Sequence, residues 1–200
     1  MRPIRAIAFD AFGTVIHYNG HRINPYRRLV TEGGYPSPLS HDQSKKAERL
    51  PFLTRDVGVE VFAEELGLSH LLPVIQRELD TEIAGLCLFQ EIDLVLRKLR
   101  AAGKRIAVVS NLAQPYGQSV RELLPDLDAY VLSYEVGAAK PDPAIYTAAC
   151  KALSCVPGEV LFIGDSKRCD VGGPQAFGMQ ARHLDRKAGQ TLLDVLAGVL

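Results

Sequence analysis

Four short apolar runs constrain this chain more than any other feature: Ile4 to Phe9 (IRAIAF), Ile106 to Val109 (IAVV), Val160 to Ile163 (VLFI) and, more weakly, Ala129 to Leu132. They show little polar alternation, which is the pattern of strands buried on both faces. Segments of helical period separate them. Ile92, Val95, Leu96 and Leu99 share one face, with Gly103 as a stop signal. Pro143 to Leu153 opens with proline at a first turn and carries Ile145 and Ala149 on one stripe. Strands alternating with helices at this spacing predict βαβ units and a doubly wound parallel α/β sheet.

The stretch 17–88 reads differently. It holds no comparable apolar run, and Asn19-Gly20, Gly33-Gly34 and Pro36-Ser37-Pro38 are turn signals. Helical patterns occupy Asn24 to Glu32, Ser44 to Leu53, Val59 to Leu66 and Leu71 to Gly85. The expected organisation is a core of residues 1–16 and 89–200, with residues 17–88 as a small helical insert directly after the first strand.

Bulk properties narrow the function classes. Lysine plus arginine equals aspartate plus glutamate at 23 each, so no global field argues for nucleic acid or an anionic membrane. No stretch approaches the ~20 apolar residues of a membrane span. The first apolar run is interrupted by Asp10 and too short for a signal-peptide core. Cys87, Cys150, Cys155 and Cys169 form no C-x-x-C pair and read as thiols of a reducing compartment. A cytoplasmic protein is expected, with its oligomeric state open.

Polar residues of four segments fall at or just beyond apolar strands, and carboxyl ends of parallel strands line a ligand crevice. The first is Phe9-Asp10-Ala11-Phe12-Gly13-Thr14. A carboxylate closing a buried strand needs solvent, a cation or donors around it, and Gly13 lets the chain turn away. The second is Ser110-Asn111, whose hydroxyl and amide can donate to an anion or cap a helix. The third is Lys140-Pro141-Asp142-Pro143, a lysine able to neutralise paired carboxylates. The fourth is Gly164-Asp165-Ser166 with Asp170, two acids that suit a Mg²⁺ ion held by a few carboxylates and waters.

In this order the segments resemble the haloacid dehalogenase-like hydrolase superfamily, from residue 4 to about 184. The run Gly164-Asp165-Ser166 through Asp170 and Gly173, continued by Phe177-Gly178-Met179, and Lys140-Pro141-Asp142-Pro143 with Tyr146 carry the likeness. The resemblance implies a Rossmann-like core with a type-1 helical cap inserted after the first strand. It implies that Asp10 is the nucleophile, forming an aspartyl-enzyme ester that water then hydrolyses. Thr14 would orient that carboxylate, Ser110 and Asn111 would hold the transferred group, and Lys140 would balance charge. Mg²⁺ would sit between Asp10, the backbone carbonyl of Phe12 and Asp165, with Asp170 supporting the shell.

One position departs from the family's phosphatases. Where they carry a second aspartate, as general acid for the leaving alcohol, this chain has Phe12. An aromatic there is similar to the metal-independent 2-haloacid dehalogenases, whose halide leaves unprotonated, and Tyr146 also matches their spacing. Asp165 and Lys167 depart from that group's Ser-Ser-Asn pattern. The favoured expectation is therefore a Mg²⁺-dependent hydrolase of a small anionic phosphorylated metabolite. The alternatives are a dehalogenase-type hydrolase and a catalytically impaired binding protein. Arg22, Arg27 and Arg28 are candidates for an anion clamp, although solvated helix charges are the favoured reading of each. Tyr18 and Tyr26 are candidates for the substrate entrance. His17, His21, His41, His70 and His183 show no metal-ligand spacing.

Overall fold

The computed structural model describes residues 2–20, 23–33 and 51–200, without the side chains of Arg27 and Pro51. Five parallel strands form the core sheet: β1 (Ala6–Phe9), β4 (Arg105–Ser110), β5 (Ala129–Leu132), β6 (Val160–Gly164) and β7 (Gln180–His183). Their spatial order is β5-β4-β1-β6-β7, which places β1 at the centre. Phe9 lies level with Val108 on one side and Ile163 on the other. The chain just beyond β1, β4 and β6 therefore emerges along one edge.

Alternate residues of the central strands feed two cores. Ile7, Phe9, Ile106, Val108, Leu161 and Ile163 face one side, where α4 (Ile92–Ala101) contributes Ile92, Val95, Leu96 and Leu99. Ala6, Ala8, Ala107, Val109, Val160 and Phe162 face the other, against Ile145, Tyr146, Ala149 and Leu153 of α7 (Pro143–Leu153). Burial on both faces explains why these strands lack polar alternation. The start of α7 follows from its sequence. Asp142 accepts from the Ala144 N–H at 2.8 Å, and Pro143 occupies the first turn, where its missing N–H costs nothing.

Between β1 and α4 the described helices are α1 (Tyr26–Glu32), α2 (Val59–Glu65) and α3 (Leu72–Ala84), close to three of the four sequence expectations. The fourth, Ser44 to Leu53, lies outside the described residues except for a 3-10 turn at Pro51–Leu53, as do the Pro36-Ser37-Pro38 turn, Gly34, His21, Arg22 and His41. The expected lack of strand in this region is corrected at both ends. β2 (Ile16–Tyr18) pairs antiparallel with β3 (Leu86–Leu88) as a two-stranded ribbon. Three-residue strands are too short to carry a period-2 signature. β7 was likewise not expected, because its sequence QARH is that of a polar edge strand. α5 (Gly117–Leu123), α6 (Ser133–Val136), α8 (Gly173–Phe177) and α9 (Leu192–Val195) complete the helices among the described residues.

Candidate active site

Asp10 follows β1 directly, and its N–H continues the sheet by donating to the Ile163 carbonyl at 2.9 Å. Its residue surface is only 8% exposed. The carboxylate accepts from Ser110 Oγ at 3.1 Å and from Lys140 Nζ at 2.7 Å, both on Oδ1. Among the described residues neither bond uses Oδ2. The turn that takes the chain away from Asp10 requires Gly13 twice over. Its φ is +81°, and a Cβ would stand 2.5 Å from Asp165 Oδ2.

Lys140 is the charge centre of the site. Its Nζ also donates to Asp170 Oδ1 at 2.7 Å, and both partners are nearly inaccessible. Two carboxylates raise its affinity for its proton against the cost of burial, so it stays ammonium. Asp170 Oδ2 accepts from the Ser166 N–H at 2.9 Å, so both its oxygens are engaged. Gly164 makes this approach possible, since a Cβ there would lie 2.4 Å from Asp170 Cγ. The exposed Asp165 completes the group: one ligand oxygen each from Asp10, Asp165 and Asp170 lies within 4.8 Å of the others.

Three carboxylates against one ammonium leave the cluster two charges short of neutral. The consequence is visible in Asp10. Its carboxyl is pushed up to about 6, first by burial and then by Asp170 and Asp165, with Lys140 pulling the other way. Asp165 is also raised, by the partial desolvation of its carboxylate within the otherwise exposed residue and then by Asp170. A divalent cation would supply the missing charge, and oxygen donors are the type that Mg²⁺ takes. The donor set fits such an ion. Asp10 and Asp165 offer the open oxygens, while Asp170 is committed to Lys140 and Ser166.

Two residues of the expected site make other contacts. Both amide atoms of Asn111 bind the backbone of Lys140. Its Nδ2 donates to the Lys140 carbonyl at 2.9 Å and its Oδ1 accepts from the Lys140 N–H at 2.7 Å, a two-point clamp on that residue's backbone. Thr14 is fully buried, but its Oγ1 has no hydrogen-bond partner among the described residues. The Asp10 carboxylate is held instead by Ser110 and Lys140.

Phe12 is half-buried in an aromatic cluster, stacked on Tyr18 at 5.5 Å and edge-on to Tyr116 at 5.8 Å. Tyr116 donates through its hydroxyl to Glu82 of α3 at 3.0 Å, and Glu82 also accepts the N–H groups of Ile23 and Asn24. Tyr18 thus sits beside Phe12 as an entrance residue would, whereas Tyr26 is buried and stacked on Phe52. Arg28 is not a free clamp, because Glu78 holds it bidentately, with contacts of 2.8 and 3.1 Å to one oxygen. The side chain of Arg27 lies outside the description.

Two further residues support the fourth segment. His183 Nε2 donates to the Asp165 carbonyl at 2.9 Å, and the Tyr146 hydroxyl donates to the Cys169 carbonyl at 2.6 Å. Tyr146 was noticed for its spacing from Lys140. His183 gives no signal in the sequence, because its partner is set by the β6–β7 pairing alone.

Comparison with known proteins agrees with this geometry. The family model described as haloacid dehalogenase-like hydrolase matches residues 4–178. (S)-2-haloacid dehalogenase 1 of a Pseudomonas species is 27% identical over 93% of this chain and 86% of its own length. A phosphatase of Mycobacterium tuberculosis is 29% identical over 94% of this chain and 90% of its own. Among solved structures, a family enzyme from Bacteroides thetaiotaomicron in complex with magnesium and inorganic phosphate superimposes with a TM-score of 0.66. It covers 91% of this chain and 94% of its own at 18% identity, a likeness of fold. The chain is a hydrolase belonging to the haloacid dehalogenase-like family.

Proposed function

We propose that this protein is a Mg²⁺-dependent hydrolase of small phosphorylated metabolites, working through an aspartyl-enzyme intermediate. The observation that carries the reading is the carboxylate triad of Asp10, Asp165 and Asp170, charged in excess of its single lysine. Asp10, Asp165 and the Phe12 backbone carbonyl would hold the ion, with Asp170 behind them. Bound there, Mg²⁺ supplies charge neutralisation between the nucleophile and an anionic substrate.

The chain's own residues account for the rest. Asp10 attacks phosphorus through its carboxylate, the bond to the leaving oxygen breaks, and water then cleaves the acyl phosphate. Ser110 and Lys140 fix the carboxylate through Oδ1 and keep the nucleophile aligned. Lys140 also offsets charge that develops on the transferred group. Phe12 supplies no proton to the leaving alcohol, so substrates with good leaving groups suit the site best. Residues 17–88 would act as the cap that selects substrate over this core.

The aromatic setting of Phe12 favours a second reading, dehalogenation, in which a halide departs without protonation. Phosphate release from an aryl phosphate and halide release from a 2-haloacid, measured with and without Mg²⁺, separate the two. The expected result is Mg²⁺-dependent phosphate release that Asp10→Asn abolishes. Metal-free halide release would replace it with the dehalogenase reading. Absence of both activities, with ligand-dependent thermal stabilisation retained, would point to a binding protein.

A further inference from the structure

The chain passes between the core sheet and the β2–β3 ribbon twice, through residues 11–15 on the way out and residues 89–91 on the way back. The two passages meet where the Phe89 N–H donates to the Val15 carbonyl at 3.2 Å. The outgoing passage is a tight turn, in which the N–H groups of Thr14, Val15 and Ile16 all donate to the Ala11 carbonyl. This turn begins at Asp10, carries the Phe12 carbonyl and lies against Asp165 at Gly13.

One side chain holds both passages. Arg186 stands three residues past the end of β7, in the 3-10 turn Arg186–Ala188 that Asp185 caps by accepting the Ala188 N–H at 3.1 Å. Its Nη2 donates to the Thr14 carbonyl at 2.5 Å, and its Nη1 pairs with Glu91. Its guanidinium covers the Phe89 ring at 3.8 Å from the centroid. The Arg186 and Glu91 side chains are only 15% and 14% exposed, so water competes little for these contacts. The anchor for this grip is the frame that carries Asp165. The Leu184 N–H donates to the Gly164 carbonyl at 2.9 Å and continues the β6–β7 pairing. A guanidinium is a rigid fork with a flat face, which suits two acceptors on different segments and a ring beneath. A lysine ammonium is a point charge without either feature.

We propose that Arg186 is a positioning residue of the active site. It pins the turn after Asp10 and the returning passage to the β6–β7 frame, and so fixes Asp10 and the Phe12 carbonyl relative to Asp165. It acts through the Thr14 backbone, because its printed partners are Thr14, Phe89 and Glu91 rather than the three carboxylates. The consequence for turnover rests on the phosphatase reading; the hold on the two passages does not.

Two measurements compare the full chain with Arg186→Met. In amide hydrogen exchange, Thr14, Val15 and Phe89 should exchange roughly ten-fold or more faster in the variant, while Ala8, Ala107 and Phe162 of the central strands keep their rates. In phosphate release from an aryl phosphate at saturating Mg²⁺, kcat should fall roughly ten-fold or more with KM changed by less than about two-fold, because alignment is lost and binding is not. Unchanged exchange at the three passage amides would overturn the proposal. So would equal acceleration across the central strands, which would make Arg186 a general stabiliser, or a loss confined to KM. An unsubstituted protein that releases no phosphate would defeat the phosphatase reading instead, and the exchange rates then decide this proposal alone. Should Arg186→Met not fold, Arg186→Lys, which keeps the charge and lacks the fork, takes its place under the same outcomes.

Discussion

At the scale of single residues, Lys140 is fixed at both ends, its ammonium between two buried carboxylates and its backbone in the grip of Asn111. Removing the charge strands Asp10 and Asp170 beside each other. Lys140→Met should therefore destabilise the fold by about 3–5 kcal/mol, with Mg²⁺ restoring part of the loss, as read from thermal melts with and without the ion. Phe12→Asp sets two effects against each other. It forfeits aromatic contacts worth about 0.5–1.5 kcal/mol and places an acid where the leaving group of the proposed reaction would depart. General acid help is typically ~10²–10⁴-fold, so turnover of alkyl phosphates should rise more than that of aryl phosphates. Equal or falling rates for both would show that the acid is not what this site lacks. Asp10 and Asp165 were legible because each directly follows a buried strand, whereas Lys140 lies beyond α6 and Asp170 in the helical turn after β6, so they were legible only through the motifs that hold them. The clamp of Asn111 on the Lys140 backbone gave no sequence signal, because its partner 29 residues later is fixed only by the fold.

Elements show where sequence signals weaken. Central strands buried on both faces and α7 with its Asp142 cap were readable to within a few residues. The β2–β3 ribbon and the edge strand β7 were not, since short or polar strands take their identity from their partners. A similar tertiary dependence binds the segment before α4 to the end of the chain. Arg186 reaches Glu91 and the Thr14 carbonyl, and Glu91 also accepts the Leu192 N–H at 3.2 Å. Burial raises the Glu91 carboxyl, but the Arg186 hydrogen bond, backbone donors and the Arg186 charge outweigh it, and the net shift is downward. A lowered carboxyl contributes stability that is present above the unfolded value of about 4.3 and is lost as pH falls through the folded value. The stability advantage of the natural chain over Glu91→Gln should thus hold at pH 7 and decline progressively as the pH falls from the unfolded value of about 4.3 through the lowered folded value. A pH-independent difference in melting temperature would assign the role of Glu91 to packing instead.

For the molecule as a whole, the parallel sheet brings residues from positions 10 to 170 to one edge, and that gathering is what the sequence order of the four segments anticipated. No helix among the described residues is long and apolar enough to cross a membrane. In the proposed reading specificity would rest on the segment between β1 and α4, where Glu82 ties α3 to Tyr116 and so to the cluster around Phe12. No short motif records such a connection, so the substrate was not readable. The catalytic claim turns on whether the excess negative charge at Asp10, Asp165 and Asp170 is there for a cation. Titrating Mg²⁺ into metal-stripped protein while following phosphate release from an aryl phosphate asks this directly. The rate should start near zero, rise to saturation, and require at least ten-fold more Mg²⁺ in Asp165→Asn. A rate that is already maximal without metal, or unaltered in Asp165→Asn, would contradict it.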